Sequence, residues 1–265
     1  MEVSTKKNIT FREIFSEFLG GLMYTFFEGF NIVMTVNSIT SVESNAILVT
    51  AIFSTLYWTQ MGTAAGHFNP VITIACIMLR YVKPGKGGIY ILAQMLGSYV
   101  GSLLLIFYLP TNFMEMAESS TALLGCPHLN TDYSIFAGLM IEFFGPLFLT
   151  FVFLSIYARS DLKFYTPCIG AAYGLFKLVG GGITGAAMNP FRYFGPALVS
   201  LHLSDFYIYL FTPFVGGIVA VFLFKFLVGD DKKNKEDEEI DEGDTGTELI
   251  DNTIRDLDVS KEKGE

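Results

Sequence analysis

The chain has 265 residues, 51% of them hydrophobic, with 26 Phe, 26 Gly and a mean hydropathy of +0.46. That is the composition of a membrane protein. The net charge of −9 is local, because residues 229–265 carry 15 acidic and 6 basic side chains while the residues before them sum to zero, which excludes a basic face for nucleic acid.

In chain order, residues 1–12 are a polar lead-in and 14–36 form a first apolar span with Glu17 and Glu28 inside it. Lys6, Lys7 and Arg12 precede a stretch too long for a cleavable signal. A polar loop at 37–45 leads to a second span at 46–65. Residues 69–79 are only about half the ~20 residues that a bilayer crossing needs, and Arg80, Lys83, Pro84, Gly85 and Lys86 follow as a loop. Further spans are expected at 88–109, 133–157, 166–183 and 206–228, with a second short apolar helix at 189–200. Cys76, Cys126 and Cys168 are scattered, and two of them lie in apolar runs, which argues against a disulfide framework. The tail from Gly229 is dominated by Asp, Glu and Lys and is too poor in apolar residues to offset the entropy of ordering, so disorder is expected there.

Lys and Arg cluster at the N-terminus, in 80–86, in 159–163 and from Lys225 onward, whereas the loops at 37–45, 110–132 and 201–205 have none. Six spans place the first set on one side and the second on the other, so both termini are expected in the cytoplasm. Each short helix must then enter and leave from the same side. Lys177 and Arg192 are left over at membrane depth, where an ionisable group marks a functional site by default.

The two halves of the chain align. Glu17-Phe18-Leu19-Gly20 matches Glu142-Phe143-Phe144-Gly145, Thr25 matches Thr150, Asn69-Pro70 matches Asn189-Pro190, and Tyr90 with Gly97 matches Tyr209 with Gly216. Three spans per half invert the second copy, and inverted repeats with broken helices place their site near the midplane. Asparagine suits a helix N-cap and proline the first helical position. The two half-helices therefore meet N-terminus to N-terminus, each end carrying roughly half a positive charge. If each asparagine caps through its oxygen, its NH2 is free to donate into a path. Water or a small neutral hydroxyl compound accepts such bonds, and a cation is repelled.

Glu17 and Glu142 read either as anchors accepting backbone N–H groups of the half-helix loops or as proton relays, and their symmetry favours anchoring. Glu28 has no counterpart and no assignment. His67 reads as a pore or loop hydrogen-bonding residue. His128 and His202 read as surface loop residues. None of the three sits at a metal-ligand spacing, and no nucleophile–base set or phosphate loop appears, so neither a cofactor nor an enzyme is expected.

Gly66-His67-Phe68-Asn69-Pro70-Val71, Asn189-Pro190-Phe191-Arg192, Phe194-Gly195-Pro196-Ala197, Glu17-Phe18-Leu19-Gly20 and Glu142-Phe143 together resemble the major intrinsic protein family, the aquaporins and aquaglyceroporins. The resemblance covers residues 11–228. It implies an all-α membrane protein of six transmembrane helices and two re-entrant half-helices, with a channel domain over 13–228 between the lead-in and the acidic tail. It also implies a homotetramer embedded in lipid, with one pore per subunit and no nucleic-acid partner. One constriction would lie at Asn69, Pro70, Val71, Asn189, Pro190 and Phe191. A selectivity filter would be formed by Val49, Lys177, Ala186 and Arg192, with Thr50 as the alternative to Val49.

The departures bear on selectivity. The motifs end in Val71 and Phe191 where the family usually has alanine. Lys177 fits neither the histidine pattern of water-selective members nor the glycine pattern of glycerol-conducting ones. Tyr193 leans toward the water branch, and Leu210 leans the other way. Ala186 stands at the mercury-sensitive cysteine position. Lys177 either snorkels to the interface or lines the filter beside Arg192. The expected function is passive flow of water, with small neutral solutes as further candidates. The alternatives are a glycerol or urea facilitator, an anion-conducting or gated channel using Lys177 and Arg192, and a structural membrane protein with a closed pore.

Overall fold

The computed structural model describes residues 9–36, 39–60, 66–109, 123–159 and 162–229. The readings placed on residues 1–8, on the connection at 110–122 and on the tail from residue 230 lie outside the described residues. The chain divides into two units, residues 1–224 and 225–265, and the site lies in the first.

Helix α1 (Phe11–Val36) opens on a capping box: the Thr10 N–H donates to Glu13 Oε2 at 2.8 Å and the Glu13 N–H to Thr10 Oγ1 at 3.3 Å. Helix α2 (Val42–Gln60) begins four residues before the expected 46, because Ser41 Oγ accepts the Ser44 N–H and the polar residues Glu43, Ser44 and Asn45 form its first turn. The half-helix α3 (Pro70–Met78) follows. Helix α4 (Pro84–Tyr108) takes in Gly85 and Lys86, read above as loop, because Pro84 sits at the first helical position, where its missing N–H costs nothing. After a short turn at Leu123–Gly125 come α5 (Ile135–Arg159) and α6 (Leu162–Thr184), the latter again starting before its expected boundary. The second half-helix is α7 (Pro190–Val199). The last span is α8 (Phe206–Leu210) and α9 (Thr212–Val228), broken at Phe211.

By length and composition, Pro84–Tyr108, Ile135–Ala158 and Phe206–Val228 can cross a membrane. Helices α1, α2 and α6 are less apolar because they bury the polar residues of the interior, among them Glu17, Glu28, Asn45 and Lys177. The two halves repeat their packing in detail. A Cβ on Gly97 would collide with the Phe18 carbonyl and the Leu22 N–H, and one on Gly216 with the Phe143 carbonyl and the Leu147 N–H. Phe18 and Leu22 are the residues that align with Phe143 and Leu147. Glycine thus lets α4 lie on α1, and α9 on α5, at backbone contact.

Candidate functional site

The two Asn-Pro turns are built alike. Asn69 (φ −150°, ψ 126°) and Asn189 (φ −147°, ψ 116°) are extended, and each caps its half-helix by accepting the N–H two residues on. These bonds are Val71 N–H to Asn69 Oδ1 at 3.0 Å and Phe191 N–H to Asn189 Oδ1 at 2.9 Å. The side-chain amides are not wholly free, as the sequence suggested. Asn69 Nδ2 donates to the Met188 carbonyl at 2.9 Å, and Asn189 Nδ2 to the Phe68 carbonyl at 2.9 Å. Each acceptor immediately precedes the opposite asparagine. One N–H of each amide therefore clasps the other loop, and one remains.

Phe68 and Met188 both have a φ of 52°, a left-handed conformation that bulky residues avoid. Glu17 and Glu142 hold them there. Glu17 accepts the His67 and Phe68 N–H groups at 2.8 Å each, and Gln94 Nε2 donates to it at 2.7 Å. Glu142 accepts the Ala187 and Met188 N–H groups at 2.9 Å each, and the Thr184 hydroxyl at 2.7 Å. Both carboxylates are fully buried. His67 Nδ1 lies 3.1 Å from Thr73 Oγ1, and the His67 carbonyl accepts from the Tyr57 hydroxyl at 3.1 Å.

Arg192 is 1% exposed; Nη2 donates to the Gly125 carbonyl, while Nε and Nη1 have no hydrogen-bond partner among the described residues. Lys177 does not snorkel. It is buried, donates to the Gly185 carbonyl at 2.6 Å and forms an ion pair with Glu28. Glu28, unassigned from sequence, is thus the partner that Lys177 needs. Val49 is buried, whereas the Thr50 hydroxyl bonds back to the Ala46 carbonyl of its own helix and lies against Gly174. Val49 is therefore the inward residue of the two. Ala186 is buried at a φ of 44°. An open cavity of about 210 Å³ reaches this group, lined by Lys177, Gly185, Thr35, Asn45 and His128.

Pro70 and Val71 are buried, and Val71 packs against Gly217. Pro190 is buried. Phe191 is half-buried, with its ring edge-on to Phe194 and its carbonyl accepting from Ser98 Oγ. Sequence reasoning passed over a buried aromatic group formed by Tyr24, Phe53 and Tyr173. Its signal was there: each ring stands four residues from Glu28, Val49 or Lys177 on the same helix face.

The family described as major intrinsic protein matches residues 2–224. Aquaporin-6 of Rattus norvegicus is 28% identical over 223 residues, 84% of this chain and 78% of that protein. An aquaporin of Enterocytozoon bieneusi is 26% identical over 246 residues, 86% of this chain and 99% of its own. Among solved structures, the aquaglyceroporin from Plasmodium falciparum superposes with a TM-score of 0.69 at 22% identity, over 82% of this chain and 96% of that one, which shows a shared fold.

Proposed function

The chain belongs to the major intrinsic protein family, and from that premise we propose that it is a passive water channel that excludes protons and cations. The family consists of integral membrane channels, not enzymes. The observation that carries the reading is the clasp between the half-helices: Asn69 to the Met188 carbonyl and Asn189 to the Phe68 carbonyl. It brings two helix N-termini and the remaining amide N–H groups to one place. A water there accepts from both amides and faces two positive dipole ends. Its hydrogens point away along the path on either side, which interrupts proton hopping. Arg192 Nε and Nη1 supply further donors. On this reading Asn69, Pro70, Val71, Asn189, Pro190 and Phe191 form the midplane constriction. Val49, Lys177, Ala186 and Arg192 form the filter, and His67, Glu17 and Glu142 support them.

The reading extends to assembly and orientation. The channel domain is residues 13–228, assembled as a homotetramer, with both termini in the cytoplasm as the basic loops require. A facilitator of glycerol or urea is the second reading, favoured by the small Val49 and Ala186. The ion pair between Lys177 and Glu28 speaks against an anion path built on two free cations. The test is stopped-flow swelling of proteoliposomes with water, glycerol and urea, paired with current recording. Water flux without current supports the proposal. Current, or glycerol flux exceeding that of water, overturns it.

A further inference from the structure

We propose that Tyr24, Phe53 and Tyr173 form the size-limiting layer of this channel and decide which solutes pass. The proposal rests on the channel reading and deepens it.

Tyr24 stands one turn from Glu28 on α1, Phe53 one turn from Val49 on α2, and Tyr173 one turn from Lys177 on α6. One turn is about 5.4 Å along a helix, so the rings make a second level beside the Val49–Lys177 level. The hydrogen bonds say on which side. The Tyr24 hydroxyl donates to the Ala187 carbonyl at 2.7 Å, two residues before Asn189. Tyr57, the next turn along α2 after Phe53, donates to the His67 carbonyl at 3.1 Å. The aromatic level therefore lies between the Val49–Lys177 level and the paired asparagines.

At that level the rings touch. Phe53 and Tyr173 stack with centroids 3.5 Å apart at 5°. Tyr24, from α1, meets Phe53 edge-on at 4.5 Å and Tyr173 at 5.7 Å. All three are 2% exposed or less. Tyr24 and Phe53, edge-on at the short end of the usual 4.5–7 Å range, are in van der Waals contact and leave no gap between these two rings for a water of about 1.4 Å radius. Water crosses only when Tyr24 parts from the stacked pair, and a three-carbon polyol needs a wider opening than water. Ring faces also offer little to replace a solute's hydration, so the layer selects by size.

The test uses the full chain in proteoliposomes, comparing the wild type with Tyr173→Val, Tyr24→Val and the more nearly isosteric Tyr173→Leu. Circular dichroism and size exclusion serve as checks on folding. The expected result is a rise in water permeability per protein of about tenfold, equivalent to roughly 1.4 kcal/mol off the barrier, together with new glycerol permeability in the Val variants. Tyr173→Leu should show the same direction to a smaller extent, and it decides the matter where a Val variant does not fold. Folded variants with wild-type water and glycerol rates overturn the layer while leaving the channel standing if the wild type conducts water. If neither wild type nor variants conduct, the channel reading falls with it.

Discussion

Glu28 on α1 and Lys177 on α6 form an ion pair in which each side chain is 3% exposed. Lys177 also donates to the Gly185 carbonyl, so its charge is both neutralised and aimed into the loop before Asn189. Among the described residues Arg192 has no such carboxylate partner, which leaves it as the uncompensated cation of the site. Breaking a buried pair strands the surviving charge, at a cost of about 3–5 kcal/mol, whereas replacing both partners is often neutral. Glu28→Gln and Lys177→Met should each lower the thermal unfolding temperature in detergent markedly. The double substitution should recover most of the loss. Additive effects in that cycle would mean the two residues are not coupled.

Glu17 and Glu142 each accept two backbone N–H groups from a loop that contains a left-handed non-glycine residue. Glutamine keeps the shape but turns one acceptor into a donor, which then faces an N–H. Hydrogen bonds to a charged group contribute about 1.5–3 kcal/mol, so Glu17→Gln and Glu142→Gln should each destabilise by about that amount. The equivalence of the two sites predicts similar losses. Unchanged unfolding curves for both would show that the carboxylates do not hold the loops.

The paired Asn-Pro turns and the two loop-anchoring glutamates, Glu17 and Glu142, were legible in the sequence because their chemistry is local and repeated. A cap, a first-turn proline and an inverted copy leave a mark in the chain itself. The starts of α2, α4 and α6 were not, because a first turn that is polar or carries a proline reads as loop from composition alone. The partner of Lys177 was hidden for another reason. Glu28 lies on a different helix, and no periodicity along either segment encodes which turn of one faces which turn of the other. The aromatic layer was hidden among 26 Phe and 13 Tyr, many of which pair with another ring elsewhere in the fold.

The resemblance to the family implies that Ala186 stands where mercury-sensitive members carry a cysteine. The remaining thiol near the site, Cys126, lies in the connection between α4 and α5 and is fully buried, and burial pushes it up to about 12. Only the thiolate reacts readily, so at neutral pH Cys126 is inert. Water flux should therefore be unaffected by mercuric chloride, and Ala186→Cys should make it sensitive, with recovery on adding a thiol. Inhibition of the unsubstituted protein would point to a reactive thiol elsewhere in the path.

Gly97 and Gly216 test the repeat as a packing device. A methyl group at either position meets a backbone carbonyl, Phe18 or Phe143, which cannot rotate aside as a side chain would. Overpacking of this kind costs about 1–3 kcal/mol, and Gly97→Ala and Gly216→Ala should both show it as a lower unfolding temperature. Gly88, in the first turns of α4, is the internal control, since a Cβ there meets nothing within 4 Å. Alanine at that position only gains helix propensity, about 0.5–1 kcal/mol, so Gly88→Ala should be neutral or stabilising. The same outcome at all three glycines would mean that helix propensity, and not the α1–α4 and α5–α9 contacts, governs them.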